Sequence, residues 1–491
     1  MSKGLHPRVL IAGTGSGSGK TTMTCALLMA LKTRGKTPVA FKCGPDYIDP
    51  MFHRKVTGVF SGNLDLFLMG EDSALDSLAS HGSLGNISIL EGAMGLYDGI
   101  GNEGAASANE VSLVTETPVL LTVSVTGKAR SICAEIKGFL EFAPNRIKGI
   151  LLNTCSKGMF SYYQQLIEGI LKIPVIGYLP NIREAEIGSR NLGLITADEI
   201  QDIQLKLKAL GDTALETFDW HRFDFLVEEA GALKESQARS SVKASQKSSL
   251  EQLEQGKEAK QKVVAPKGKV EKLPIIYVSK DQAFCFAYEE NIQCLAEQGA
   301  DIRFFSPLHD PILPKDADGV IIWGGYPELH GEEIRLNESL RKDLYRKVQD
   351  GLPLYAEGGG FMFLHSQIIT SDDQGQEETI PGVGVFKGAC RMTTRLQEFG
   401  YATLTAQRDN LLFKKGESAR CHSFHRSRSE LEGRAFFARK ASGSGDYMTG
   451  QSFNRALGSY VHLHFTELPK AVTRFIETTQ AYHREREREL Y

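Results

Sequence analysis

At 491 residues the chain is long enough for about two or three domains, and its 41% hydrophobic and 24% charged residues are those of an ordinary globular protein. A formal net charge of −3 provides no basic surplus for a nucleic-acid surface. No run approaches the roughly 18 consecutive apolar residues of a membrane span, so neither nucleic acid nor membrane is expected as a partner. The opening MSKGLHPRVLIAGTG has no apolar leader segment and passes directly into a strand pattern, which argues against secretion and for a cytoplasmic location. The eight cysteines are scattered without CxxC spacing and read as buried, reduced thiols.

In chain order, RVLIAG (8–13), TPVAFKCG (37–44), ISILEGA (87–93), PVLLTVSV (118–125), RIKGILLN (146–153) and PVIGYLP (174–180) are short, β-branched and bounded by turn residues, so they read as buried strands. Helical segments separate them; KTTMTCALLMALKTRG has apolar residues at helical spacing and stops at Gly35. This alternation predicts a parallel sheet covered on both faces. Residues 233–271 are rich in Lys, Ser, Gln and Glu and contain no aromatic residue, and they read as a flexible polar linker. A second α/β rhythm follows, with strands expected at LPIIYVSK (273–280), ADIRFFSP (300–307), GVIIWGG (319–325) and LPLYAEGGG (352–360). The closing HREREREL reads as a solvated helical end. The expected organisation is therefore α/β, with two domains at 1–232 and 272–491, each a mainly parallel sheet flanked by helices.

GTGSGSGKTT lies between a predicted strand and a predicted helix, the setting of a phosphate loop. Small residues let backbone N–H groups approach phosphate oxygens, and the helix N-terminus adds positive potential. Thr14, Gly15, Ser16, Gly17, Ser18, Gly19, Lys20, Thr21 and Thr22 are the expected contacts to ATP, with Lys20 on the terminal phosphates. The loop departs from the standard pattern at Thr14, where its first glycine should stand. Acids end two of the strands: FKCGPDYIDPMFH (41–53) supplies Asp46 and Asp49 with Lys42 and His53, and LEGAMGLYDG (90–99) supplies Glu91 and Asp98. Strand ends converge on the ligand crevice of an open α/β sheet. Asp46 and Glu91 are thus expected to join Thr21 on Mg2+, which favours hard oxygen donors, and Lys42 to contact the nucleotide.

These residues resemble a known family. The loop is similar to that of dethiobiotin synthetase-like ATPases. GPDYIDPMFH, NLDLF (63–67), EGAMGLYDG, KARS (128–131), GYLP and SRNLGL (189–194) resemble motifs of cobyrinate a,c-diamide synthases, as do KDQAFCFAYEEN (280–291), GGYPE (324–328), YAEGGGFMFL (355–364), ARCHSFHRS (419–427) and SYVHLHF (459–465). The resemblance implies a phosphate-loop amidoligase domain followed by a class I glutamine amidotransferase domain. It also implies a reaction: ATP phosphorylates a corrin-ring acetate carboxylate, and ammonia from glutamine displaces the phosphate, at the c and a positions in turn. Asp98 is then a candidate to orient the carboxylate or ammonia, His462 is the candidate catalytic histidine, and a homodimer is expected.

One departure bears on the nitrogen source. The family reads Tyr-Ala-Glu-Cys-Gly-Gly where this chain has Tyr355-Ala356-Glu357-Gly358-Gly359-Gly360. Gly358 stands at the position of the nucleophilic cysteine, and no thiolate is available there for covalent catalysis. Three readings follow: an amidoligase fed with free ammonia or ammonia from another protein, a glutamine-dependent enzyme carrying a Cys→Gly change, and a non-catalytic tetrapyrrole- or nucleotide-binding relative. Hydrogenobyrinate or a nickel or metal-free sirohydrochlorin are alternative ring substrates. On a strand His462 and His464 share a face, so either fits the histidine role.

Overall fold

The computed structural model describes residues 6–182, 202–233, 272–371, 375–443 and 445–489. The chain divides into two compact units, Met1–Lys262 and Val263–Tyr491. The expected linker lies, beyond residue 233, outside the described residues, as does SRNLGL.

The first unit is built on a seven-stranded, wholly parallel sheet of β1 (Arg8–Gly13), β2 (Pro38–Cys43), β3 (Ser61–Leu64), β4 (Ile87–Glu91), β5 (Val119–Ser124), β6 (Ile147–Asn153) and β7 (Val175–Leu179). Their order in space is β3-β2-β4-β1-β5-β6-β7. The strands are near-continuous apolar runs because both faces are covered, each by its own core. Edge strand β3, Ser-Gly-Asn-Leu, has no apolar run and forms through its parallel pairing with β2. Helix α1 (Lys20–Thr33) starts after Gly19 and is followed by Gly35, both at positive φ (92° and 76°) that suits glycine. It buries Met23, Ala26, Leu27, Leu28, Ala30 and Leu31; truncating Leu27 to Ala in such a setting costs about 2–5 kcal/mol. Gly211 permits a close helix crossing, since a Cβ there would lie 2.4 Å from Met29 Cγ.

Arg8 is fully buried on β1. Its guanidinium donates to the carbonyls of Thr115 (2.9 Å), Ala230 (2.9 Å), Gly231 (3.0 Å) and His6 (2.8 Å), so the charge is met by peptide oxygens.

The second unit contains two sheets. The first holds the expected parallel strands β8 (Ile275–Ser279), β9 (Asp301–Phe305), β10 (Gly319–Ile322) and β11 (Leu354–Glu357). With β18 (Gln451–Phe453) and β19 (Ala456–Ser459) they run in the order β18-β19-β11-β10-β8-β9. The other is mainly antiparallel and comprises β12 (His365–Ser371), β13 (Glu377–Pro381), β14 (Phe386–Ala406), β15 (Ser418–Ser429), β16 (Phe436–Lys440), β17 (Tyr447–Thr449) and β20 (Val461–Leu463). Its long strands are half-exposed and the β14–β15 register shifts between Met392 and Gly400, so they present no clean apolar alternation.

The charged C-terminal end does more than face solvent. It belongs to a helix, Pro469–Glu489, from which His483 Nδ1 and Arg486 each reach the fully buried Asp318 at 2.9 Å. Asp318 also accepts from Ile275 N at 2.8 Å, which ties the helix to the start of β8. All eight cysteines are free thiols, six of them buried. Among the described residues no helix is long and apolar enough to cross a membrane.

Candidate active site

The phosphate loop leaves the end of β1 and closes into α1. Gly13 has no room for a side chain: a Cβ would sit 2.1 Å from Ser18 Oγ and 3.0 Å from Lys20 Cγ. At Gly19 a Cβ would meet Asn153 Nδ2 at 2.0 Å, and that amide donates to Ser18 O at 3.0 Å, pinning the loop to β6. Lys20 Nζ donates to Gly15 O at 3.0 Å, so the lysine curls over the loop. Among the described residues the buried Ser18 hydroxyl has no hydrogen-bond partner, and an orphaned buried group in a loop shaped to receive an anion fits a ligand-binding role. Burial first, then the neighbouring Lys42, lowers Lys20 to about 8, with Glu91, Asp49 and Asp98 pulling the other way. A triphosphate would restore its full charge.

Sheet register gathers the acids. Glu91 ends β4 opposite Lys42 on β2 and Ile11 on β1. Glu91 Oε1 accepts from Thr21 Oγ1 at 2.6 Å and Lys42 Nζ at 2.9 Å, and its Oε2 lies 2.7 Å from His53 Nε2. His53 is held in turn by Ser61 Oγ, 3.3 Å from Nδ1. Burial works against the Glu91 carboxylate, yet Lys42, His53 and Thr21 together hold it well below the usual range. Asp49, on α2 (Ile48–Thr57), lies 3.2 Å from Thr21 Oγ1 through Oδ1 and pairs with Lys42. Burial and then Glu91 raise Asp49 to about 8.

Asp46 is placed differently: its Oδ1 accepts from the N–H groups of Ile48 (2.7 Å) and Asp49 (3.3 Å), at the start of α2. Asp98 closes a turn by accepting from Gly95 N at 2.8 Å, and this turn rests on the phosphate loop through Leu96 N to Gly13 O at 2.9 Å.

In the second unit, Gly358 forms the turn between β11 and the helix Gly358–Leu364, at φ 50°. A Cβ on Gly358 would lie 2.9 Å from His462 Cε1 and 3.1 Å from Nε2. His462 Nδ1 is 3.1 Å from Glu357 Oε2, and Glu357 Oε1 accepts from Tyr355 Oη (2.6 Å) and Leu463 N (3.0 Å). A histidine oriented by a buried carboxylate therefore faces a position without a side chain. His464 lies past the end of β20 and its Nδ1 bonds Thr466 Oγ1 at 2.8 Å. Cys390 and Cys421 are buried with pKa values pushed up by burial, that of Cys390 to about 12.

Comparison with known proteins matches both halves. A model of the CobQ/CobB/MinD/ParA nucleotide-binding domain covers residues 9–194, and one of the CobB/CobQ-like glutamine amidotransferase domain covers residues 275–469. The chain is similar to the cobyrinate a,c-diamide synthases of Clostridium tetani (36% identity; 93% of this chain, 96% of that protein) and Priestia megaterium (36%; 98% of each). It is similar also to that of Thermoplasma volcanium (33%; 98% of this chain, 99% of that protein). The chain belongs to the cobyrinate a,c-diamide synthase family. It is accordingly a ligase that forms carbon–nitrogen bonds. The family's two matched segments hold the two sites, the loop and its acids in the first and Gly358 with His462 in the second.

Sequence reasoning named Asp49 without giving it a role. It did not isolate Glu357 as the partner of His462 or Asn153 as a brace of the loop. The i, i+3 spacing of Asp46 and Asp49 across a helix start is the signal for the first: one acid can serve the turn while the other faces inward. Glu357 and Asn153 each sit at the last residue of a strand, where side chains reach the crevice.

Proposed function

We propose that the chain amidates the a and c acetate carboxylates of cobyrinate in cobalamin biosynthesis, using ATP and Mg2+ and passing through an acyl phosphate, with ammonia formed elsewhere as the nitrogen donor. A carboxylate has no leaving group. Attack of its oxygen on the γ-phosphorus, with loss of ADP, supplies phosphate as one; ammonia then adds at the acyl carbon, phosphate departs, and a proton is lost to give the amide.

The donor set suits magnesium. One hydroxyl (Thr21) and two carboxylates (Asp49 and Glu91) converge as hard oxygens, leaving positions for water and phosphate oxygens, as Mg2+ prefers. Among the described residues no group of three or more His, Cys, Asp or Glu forms a closed metal cage. Bound there, the ion would neutralise triphosphate charge and polarise the transferred phosphoryl. Lys20 adds a second positive charge to the same oxygens. Lys42 stays protonated, because Asp49, Glu91 and Asp46 outweigh its burial, and it keeps the two metal-facing acids together. His53 and Ser61 fix the far oxygen of Glu91. Residues Thr14 to Thr22 wrap the phosphates, Asp46 orders the segment that carries Asp49, and Asp98 lies against the loop where the carboxylate and ammonia must meet.

The observation that carries the nitrogen assignment is Gly358: the position facing His462 has no nucleophile. The test is mass spectrometry of mono- and diamide products with 15N-ammonium or amide-15N-glutamine. Label is expected from ammonium alone. Efficient labelling from glutamine would sink the ammonia assignment, and no product from either donor would sink the amidation itself.

A further inference from the structure

The two faces of the antiparallel sheet in the second unit differ in chemistry. Along β15 the residues Ala419, Cys421, Ser423, His425 and Ser427 are buried, while Arg420, Phe424, Arg426 and Arg428, which alternate with them, reach solvent. The register shifts do not disturb this alternation. β15 steps by two through Ser427, His425 and Ser423 while its partner steps from Met392 to Gln397 to Gly400, so the extra residues lie in β14.

His422 belongs to the outward set, and cross-strand pairing extends the face on both sides of it. Tyr401 stands opposite His422 on β14, and His462 stands opposite it on β20, so the three side chains share one face. The His422 ring lies edge-on to Tyr401, with centroids 5.1 Å apart, and to Phe399 at 5.9 Å. Phe399 lies edge-on to Phe424 at 5.6 Å and is itself 49% exposed. A patch of rings thus extends from His462 across three strands. Arg420 stands at one end of it and Arg426 and Arg428 at the other. Six residues of strand put Arg420 and Arg426 about 20 Å apart.

The charge on this face has one sign. No Asp or Glu stands among the outward positions of β15 from Arg420 to Arg428, or of β14 from Phe399 to Thr405. Among the described residues the side chains of Arg426 and Arg428 make no hydrogen bond or ion pair. Aromatic side chains cover the face of a conjugated ring, and guanidinium groups take carboxylates at its edge. Rings flanked by arginines also suit single-stranded nucleic acid, but a chain of net charge −3 lacks the basic surplus of such proteins. The complementary ligand is a flat-faced macrocycle edged with carboxylates.

We propose that this face docks the corrinoid, with the macrocycle lying on Phe399, Tyr401 and Phe424 and its carboxylate arms on Arg420, Arg426 and Arg428. The docking rests on the corrinoid reading given above, and it gives the second unit a use that needs no nucleophile at Gly358. The test is calorimetric titration of the full chain with cobyrinate, with its fully methyl-esterified form and with a single-stranded oligonucleotide, run beside the ammonium-dependent amidation assay. Cobyrinate is expected to bind, and the ester to bind at least about tenfold more weakly. Arg426→Gln and Phe399→Ala, both at side chains that reach solvent, should each weaken cobyrinate binding by about three- to tenfold at an unchanged melting temperature. Arg408→Gln, at an exposed arginine outside this face, should leave it unchanged. Cobyrinate that is bound and amidated equally well by the parent and both variants would overturn the docking and leave the corrinoid reading standing. Binding that both variants weaken, in a chain that amidates nothing, would overturn that reading and support the docking. No binding of cobyrinate, equal binding of the ester, or tighter binding of the oligonucleotide would each overturn the docking.

Discussion

The two strand-to-helix turns of this protein make an informative pair. In the first unit the turn after β1 brings Lys20 and Thr21 together with Glu91, delivered by the neighbouring strand β4. In the second, the turn after β11 holds His462, oriented by the buried Glu357, against a residue without a side chain. A scaffold for catalysis and the capacity for catalysis are thus separable. The geometry of Glu357 and His462 is set by the sheet and persists without a nucleophile to serve.

The comparison can be broken at its strongest point first. Lys20→Ala should lower corrinoid- and ammonium-dependent ATP turnover by about 1000-fold or more, because it removes the charge placed to stabilise the transferred phosphoryl; near-normal turnover would empty the first turn of its assigned role. Next, Gly358→Cys should convert the second turn into a working glutaminase. Ammonia release from glutamine is expected to rise on the order of 100-fold above the parent, and to vanish again when His462→Ala is added. His462 must shift by a few tenths of an ångström to admit the new side chain. A folded variant that still leaves glutamine intact would show that more than the thiol is missing.

Within the first site, Asp49→Asn should raise the magnesium requirement by about 10- to 100-fold and Asp46→Asn by less than about tenfold; titrating activity against Mg2+ ranks them, and the reverse order would reassign the metal ligand. The smallest expected effect separates the units by stability. Burial lowers His365 to about 4, and His422 and His464 to about 3, from an ordinary value of 6.5. These rings stay neutral in the fold while the unfolded chain takes up protons below about 6.5, so the stability they contribute is full above that pH and falls as pH drops toward 4. Calorimetric melting of the second unit across that window should show the loss, and a flat profile would contradict it.

Much of the first site was legible because phosphate loops are contiguous and the acids follow apolar strands. RVLIAG, ISILEGA and GTGSGSGKTT announce themselves by spacing. β3 was hidden because Ser61–Leu64 has no pattern of its own and exists by pairing with β2. The antiparallel sheet was hidden because β14 and β15 mix exposed and buried residues across shifted register. Among the site residues, the division of labour between Asp46 and Asp49 depends on which one points at Thr21, a matter of helix phase rather than composition. The pairing of Glu357 with His462 joins positions 105 residues apart. The tail HREREREL looks like a solvated face until Asp318, buried at the start of β10, is known to receive it.

Arg8 has a topological consequence. Its guanidinium and the His6 N–H, which donates to Gly231 O at 3.2 Å, join the place where the chain enters the first unit to the place where its last described helix ends. The first and last described segments of that unit therefore meet at one point. A circular permutant with those ends fused and new ones opened in a surface loop should retain the sheet order and the phosphate loop.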